Sequence, residues 1–434
     1  MRRVRRSWLD TPPSSRPCCS DPKGNGGGQP GTVQRESSPA KLRHDWRNVS
    51  GRISHPVTPI VLLFSLAFLV SVDVRILAPV LPSISLSLGS TAGTVGLAMT
   101  SYAFAYGAGQ LVYGPLSDRR SRIAVIRVAG LGFSLCTVLS ALAVTTRQFI
   151  IIRFLAGACA GAVIPLTLVF IGDTVEYARR QVVIGRFSVV TSAALAFSAS
   201  IGGTVAHFVS WRIMLLGYGL LALIPIGLMW RLEVRRPPET AEAAVSFADL
   251  LRDRRAQFVY IAIFLEGFLL WGGVTYLGSF GTERHGLDQF VVGLLIALFG
   301  IGTMTGGLLM GRLRRRLSEN ALAMLGGTLM GTAFLILVPR WPWHGFAASM
   351  LLLGLGFVGL HTTLQLRGTE ISPAARGKGF SLFAFSLFAG IATGTAVLGR
   401  LVDAGNYEVL FTVAGLGLIG IGIGTALSPP RPTH

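Results

Sequence analysis

From residue 58 onward the sequence is a succession of apolar runs parted by short polar breaks. The runs fall at roughly 58–80, 92–114, 123–145, 148–171, 186–209, 212–230, 257–280, 290–310, 320–338, 345–366, 379–401 and 407–427. About 20 mostly apolar residues are what an α-helix needs to cross the hydrocarbon of a bilayer. Twelve such runs predict an all-α membrane protein, with both chain ends on the same side. Composition agrees. Of the 434 residues 51% are hydrophobic and only 14% charged, against about 25% charged in a soluble domain. The 54 glycines fit as well, because glycine is commoner in membrane helices than in soluble ones.

The formal charge of +19 would suggest nucleic acid in a soluble protein. Here the arginines cluster between apolar runs, so topology accounts for them and no nucleic-acid partner is expected. One set of connections holds Arg119, Arg120, Arg122 and Arg127, then Arg179, Arg180 and Arg186, then Arg231, Arg235, Arg236, Arg252, Arg254 and Arg255. It continues with Arg312 and Arg314–Arg316, then Arg367, Arg376 and Lys378. The opposite set has scattered cations such as Arg147, Arg212, Arg284 and Arg340. The positive-inside rule then puts the arginine-rich side, and with it both termini, in the cytoplasm.

The expected organisation follows. Residues 1–55 are a basic, Gly/Pro/Ser-rich tail with little to bury, so disorder is expected. Residues 56–230 make a first six-helix bundle, 231–256 a cytoplasmic linker, 257–428 a second bundle, and 429–434 a short tail. Within the linker, "SFADLLRDRRAQF" suits a short amphipathic helix lying on the membrane surface. The halves echo each other: "GPLSDRR" follows the second run and "GRLRRRL" the eighth. Two related halves that rock about a site at mid-depth are a recurring transporter design.

These pieces carry a resemblance. "GPLSDRRSR" (114–122) looks like the signature that members of the major facilitator superfamily carry between their second and third helices. Gly114, Leu116, Asp118, Arg119 and Arg122 match, and Ser121 replaces a glycine. "DVRILAPVLPSIS" (73–85) is similar to the first-helix signature of the drug:proton antiporter branch, and "RFLAGACAGAVIP" (153–165) to its fourth-helix pattern. The helix-five signature is reduced to Gly202 and Gly203, with Ser198 and Ala199 where Gly-Pro is expected. The whole chain from about residue 56 is closest in character to arabinose- and drug-efflux permeases. The resemblance implies a twelve-helix fold in two pseudo-symmetric bundles and a monomer in a bacterial plasma membrane. It also implies that Gly114, Leu116, Asp118, Arg119 and Arg122 latch the halves at the cytoplasmic side. Read from the residues alone, the same cluster is a topological arginine patch.

Ionisable residues inside the runs call for a partner or a task, since a charge at mid-membrane costs about 2.5–3.5 kcal/mol on insertion scales. Asp73 lies near the outer end of the first run and Arg153 near the outer end of the fourth. At about 1.5 Å per residue their depths agree within a few ångströms, so the two can pair if their helices touch. Burial favours the neutral form of a carboxyl, and a nearby guanidinium favours the charged form. Such a pair is either a proton switch or a static brace. Arg75 points to another face and needs another partner. Glu266, near the midplane of the seventh run, has no lysine or arginine at its depth; it is a third candidate for proton coupling or a hydrogen-bonded neutral acid. Tyr102, Tyr106 and Gln110 form an i, i+4, i+8 stripe, as do Phe357, His361 and Gln365. With Trp271 they are candidate walls of a substrate cavity, or ordinary packing.

Cys18, Cys19, Cys136 and Cys159 lack metal-ligand spacing, and no catalytic or phosphate-binding motif is present. No cofactor, metal or enzymatic activity is expected. The expected function is a secondary transporter exchanging protons for small organic compounds such as drugs or sugars. Import by symport or facilitation is the alternative, then a non-transporting membrane sensor.

Overall fold

The computed structural model describes residues 57–232, 247–339, 342–371 and 376–428. The 1–55 tail, most of the linker and the 429–434 tail expected from the sequence lie outside the described residues. Among the described residues there is no strand, and the chain from Pro56 onward forms one unit.

Helices stand at all twelve predicted places. They are α1 (Val57–Ile76), α2 (Ala92–Arg119), α3 (Arg122–Ala141), α4 (Thr146–Ala160, continued as Val163–Thr174), α5 (Tyr177–Phe208) and α6 (Trp211–Met229). The second set is α7 (Arg254–Glu266, with continuations described below), α8 (Gln289–Leu313), α9 (Glu319–Ile336), α10 (Trp343–Thr369), α11 (Arg376–Asp403) and α12 (Tyr407–Leu427). Ten spans among the described residues are long and apolar enough to cross a membrane; α2 and α5 stand at the second and fifth runs. The protein is an all-α membrane protein. Large apolar side chains face outward, such as Leu308, 72% exposed, and Val128, 66% exposed, where lipid replaces water as solvent.

The breaks have local causes. Thr91, Thr145, Ser210, Asp288 and Ser318 each cap the helix that follows, their side-chain oxygens accepting a backbone N–H. Ser210 thus divides α5 from α6 at the thin "VSWR" break. Phe247–Arg252 is a short helix with Leu250 buried; the rest of the stretch read as one amphipathic helix, from Arg254 on, already belongs to α7 behind the Asp253 cap.

Two spans depart from straight helices. The first was expected as one rod over 58–80. Instead α1 stops at Ile76, a 3-10 turn covers Ala78–Val80, and the helix resumes as Leu81–Ser87. Pro79 and Pro82 lack the N–H that would continue the ladder. In α7, Glu266 leads into a π-turn, Gly267–Trp271, then Gly272–Thr275 and Leu277–His285. Such widened turns concentrate at functional sites.

The first six helices meet the last six along two principal seams, α2 against α11 and α5 against α8. Exchanging the first six helices with the last six maps one seam onto the other, as expected for two related halves. At the arginine-poor end the seams carry polar ties. Asp403 accepts from the Thr91 hydroxyl at 2.9 Å and from the Gly93 amide at 2.8 Å. Gln289 donates to Ser83. Gly278 lies so close to the Ala78 carbonyl that a Cβ has no room there.

Candidate functional site

The depth argument from the sequence is met in the structure. Arg153 donates from Nη1 and Nη2 to the two Asp73 carboxylate oxygens, at 3.1 and 2.7 Å. Both side chains are essentially sealed from solvent, at 2% and 0% exposure. Parallel two-point contact is the strongest geometry open to this pair. The Arg153 guanidinium also lies over the Tyr102 ring, 4.4 Å from its centroid. Tyr102 stacks on Tyr106, and Tyr106 packs against Phe388 of α11.

Arg75, two residues on, faces the opposite half. Its guanidinium carbon lies 3.0 Å from the centroid of the Trp271 ring in the π-turn of α7. This is the partner that sequence reasoning lacked. Trp271 in turn packs edge-on against Phe299 of α8 and Phe357 of α10.

Among the described residues Glu266 has no lysine or arginine beside it, as the sequence predicts; its partner is a histidine of a neighbouring helix. His361 Nδ1 lies 3.1–3.2 Å from both carboxylate oxygens. Glu266 is fully buried and His361 is 14% exposed at its side chain. The Phe357 ring stacks on His361 at 4.4 Å. Glu266 and Asp73 therefore belong to separate pairs, one in each half, bridged by the line Arg75–Trp271–Phe357–His361.

A small cavity of about 30 Å³ sits where these groups converge. Asp73, Arg75, Tyr102 and Arg153 line it from the first half, Trp271 and Phe388 from the second. It holds little more than a water molecule or two, whereas organic-ligand sites span about 300–1,000 Å³. An organic ligand would fit here only with the halves parted.

Of the candidate cavity residues, Tyr102 and Trp271 are in the wall. Tyr106 lies behind Tyr102, and His361 serves Glu266. Gln110 is half-buried and Gln365 exposed, both toward the arginine-rich end and away from the cavity wall. The helix-five remnant faces two ways. Gly202 abuts the Ile76 carbonyl of α1, while Gly203 abuts Gln289 and Gly293 of α8 across the seam. Ser198, where glycine was expected, donates to the Val72 carbonyl at 2.6 Å, one residue before Asp73. In the arginine-rich signature, Arg122 pairs with Asp173 at the end of α4, at 3.2 Å, and Leu116 is exposed. Gly114, Asp118 and Arg119 stand in the last turns of α2, and the side chains of Asp118 and Arg119 lie outside what the structure describes. Among the described residues no group of His, Cys, Asp or Glu is arranged to hold a metal.

Comparison with known proteins agrees with this architecture. The family model described as Major Facilitator Superfamily matches residues 63–395. The chloramphenicol resistance protein of Pseudomonas aeruginosa is 28% identical over 326 residues, which is 71% of this chain and 76% of that protein. A probable sugar efflux transporter of Helicobacter pylori (strain P12) is 24% identical over 365 residues, 83% of this chain and 93% of that one. The crystal structure of the nucleoside transporter NupG (D323A mutant) superposes with a TM-score of 0.71 at 13% identity, over 85% of this chain and 98% of that one.

Proposed function

The chain belongs to the major facilitator superfamily; it is a multi-pass membrane transporter and not an enzyme, and from that premise we propose that it exports small organic compounds in exchange for protons. The residues around the cavity act as follows. With Asp73 charged, Arg153 is held and the first half is locked. A proton on Asp73 removes the charge that Arg153 binds, and the guanidinium must turn elsewhere. Making and breaking of the Asp73–Arg153 pair thus follows the proton, and that exchange of partners couples proton movement to rocking of residues 56–230 against 257–428. The arginine-rich end faces the cytoplasm in this reading, and the ties of Asp403 close the far side. The protein works as a monomer, with the lipid bilayer as its surroundings.

The observation that carries the proposal is the two-point, fully buried Asp73–Arg153 pair in the wall of a cavity shared by both halves. The names of the relatives supply first probes, chloramphenicol and sugars. The test uses everted vesicles with an imposed pH gradient. Substrate addition should release protons from the acidified interior, and Asp73→Asn should abolish that release. Substrate movement whose proton dependence survives Asp73→Asn removes Asp73 from the mechanism. Accumulation in the opposite direction turns the assignment to import.

A further inference from the structure

The charges lining the cavity do not balance. One carboxylate, Asp73, faces two guanidiniums, Arg153 and Arg75. Both Asp73 oxygens are taken by Arg153, so Arg75 is left with no carboxylate. Its Nε is buried and finds no acceptor, and its contact is the face of Trp271. A ring face offsets part of the cost of a desolvated cation, but it accepts none of the guanidinium's hydrogen bonds. The Tyr102 hydroxyl, also in the wall, is buried and unpaired. The cavity therefore has donors to spare and no free acceptor of like strength. Apart from Thr275, whose hydroxyl donates to the Trp271 carbonyl, its remaining lining is apolar or aromatic, with Trp271, Phe388 and Ile391 contributed by the second half.

We propose that the transported compounds are amphipathic organic anions, whose carboxylate or similar group is received by Arg75 and Tyr102 while an apolar or aromatic body lies against Trp271, Phe388 and Ile391. This rests on the transporter reading above and narrows its substrate class. A guanidinium fork matches a carboxylate with two parallel hydrogen bonds, which Trp271 cannot supply. An organic cation fares badly. It meets a net positive wall, and the buried carboxylates, Asp73 and Glu266, are already engaged by Arg153 and His361. The site also straddles the halves, since Arg75 belongs to α1 and Trp271 to α7. An anion that draws Arg75 off Trp271 loosens a contact between the halves as it binds.

The test needs no pH gradient, so it fails or succeeds independently of proton coupling. Purified protein in detergent is titrated with benzoate, benzylammonium and neutral chloramphenicol at one pH, and binding is read by thermal shift and by calorimetry. Benzoate should bind wild-type protein most tightly. Arg75→Gln should weaken benzoate by about ten- to a hundredfold, the range for losing hydrogen bonds to a charged group. Arg75→Lys, which keeps the charge but loses the fork, should fall between. The comparison of the three probes on wild-type protein stands even if Arg75→Gln does not fold. Benzylammonium or chloramphenicol binding as tightly as benzoate overturns the proposal. So does benzoate affinity unchanged in folded Arg75→Gln. If benzoate binds through Arg75 but substrate releases no protons in vesicles, the antiport reading falls and the anion site remains.

Discussion

Consider Asp73→Asn, Arg153→Gln and the double variant. Each single change strands one charge at a place where the pair is at most 2% exposed. Breaking a buried ion pair from one side costs about 3–5 kcal/mol, because the survivor keeps its desolvation penalty without its partner. The two survivors then behave differently. A stranded carboxylate can take up a proton. Neutralising an ordinary carboxyl at pH 7 costs about 4 kcal/mol and falls by about 1.4 kcal/mol per pH unit on acidification. A stranded guanidinium has no such escape, since arginine stays protonated. Arg153→Gln should therefore recover stability relative to wild type on acidification from pH 7 to pH 5, while Asp73→Asn recovers little. The double variant removes both charges and should be milder than either single change. Thermal unfolding of detergent-purified protein at the two pH values measures all of this. Single effects that add to the double within about 0.5 kcal/mol, or equal pH responses in the two single variants, refute the claim that the two charges hold each other.

Asp403→Ala removes two hydrogen bonds that tie α11 to the start of α2. It should weaken closure of the arginine-poor end by about 1–3 kcal/mol, read as faster labelling of a cysteine introduced at Ser90. His361→Ala leaves the fully buried Glu266 carboxylate without its partner. Its thermal midpoint should fall, and adding Glu266→Gln should restore much of the loss; no restoration would mean that the two groups do not interact. Arg367 joins the start of α9, through Glu319 and Asn320, to the end of α12, through the Thr425 carbonyl and Ser428. Arg367→Met should raise hydrogen exchange at both of those helix ends while leaving the amides around Asp73 unchanged.

The spans were legible because lipid imposes a length on every helix, and the arginine clusters marked their ends. The Asp73–Arg153 pair was legible too. Depth can be counted along two helices of the same half, and a buried aspartate needs a cation at its own level. The partners of Arg75 and Glu266 were not legible, for two reasons. Arg75 meets Trp271 across the boundary between halves, where counting residues along either chain segment says nothing about which faces oppose. Glu266 and Trp271 are joined by a turn that carries one residue more than an α-helical turn. On a straight helix those two positions point to different sides. The widened turn brings both toward α10, where Glu266 meets His361 and Trp271 meets Phe357. The stripe of Phe357, His361 and Gln365 held this information, but for an acid on α7 rather than for the cavity. Ser198 shows the reverse case. It looked like damage to a signature, and it is a hydrogen-bonded strut beside Asp73.

The proline break in the first span gives it two mechanical parts. The stem carries Asp73 and Arg75; the cap, Leu81–Ser87, leans on the opposing half at Gln289, and the turn between them presses on Gly278. With no unbroken ladder between stem and cap, a pull on the rim is spent in bending at the prolines rather than in lifting the carboxylate from its seat. The span is thus a stem and a hinged cap, each with its own hold on the opposing half: the cap at Gln289, the stem through Arg75 resting on Trp271.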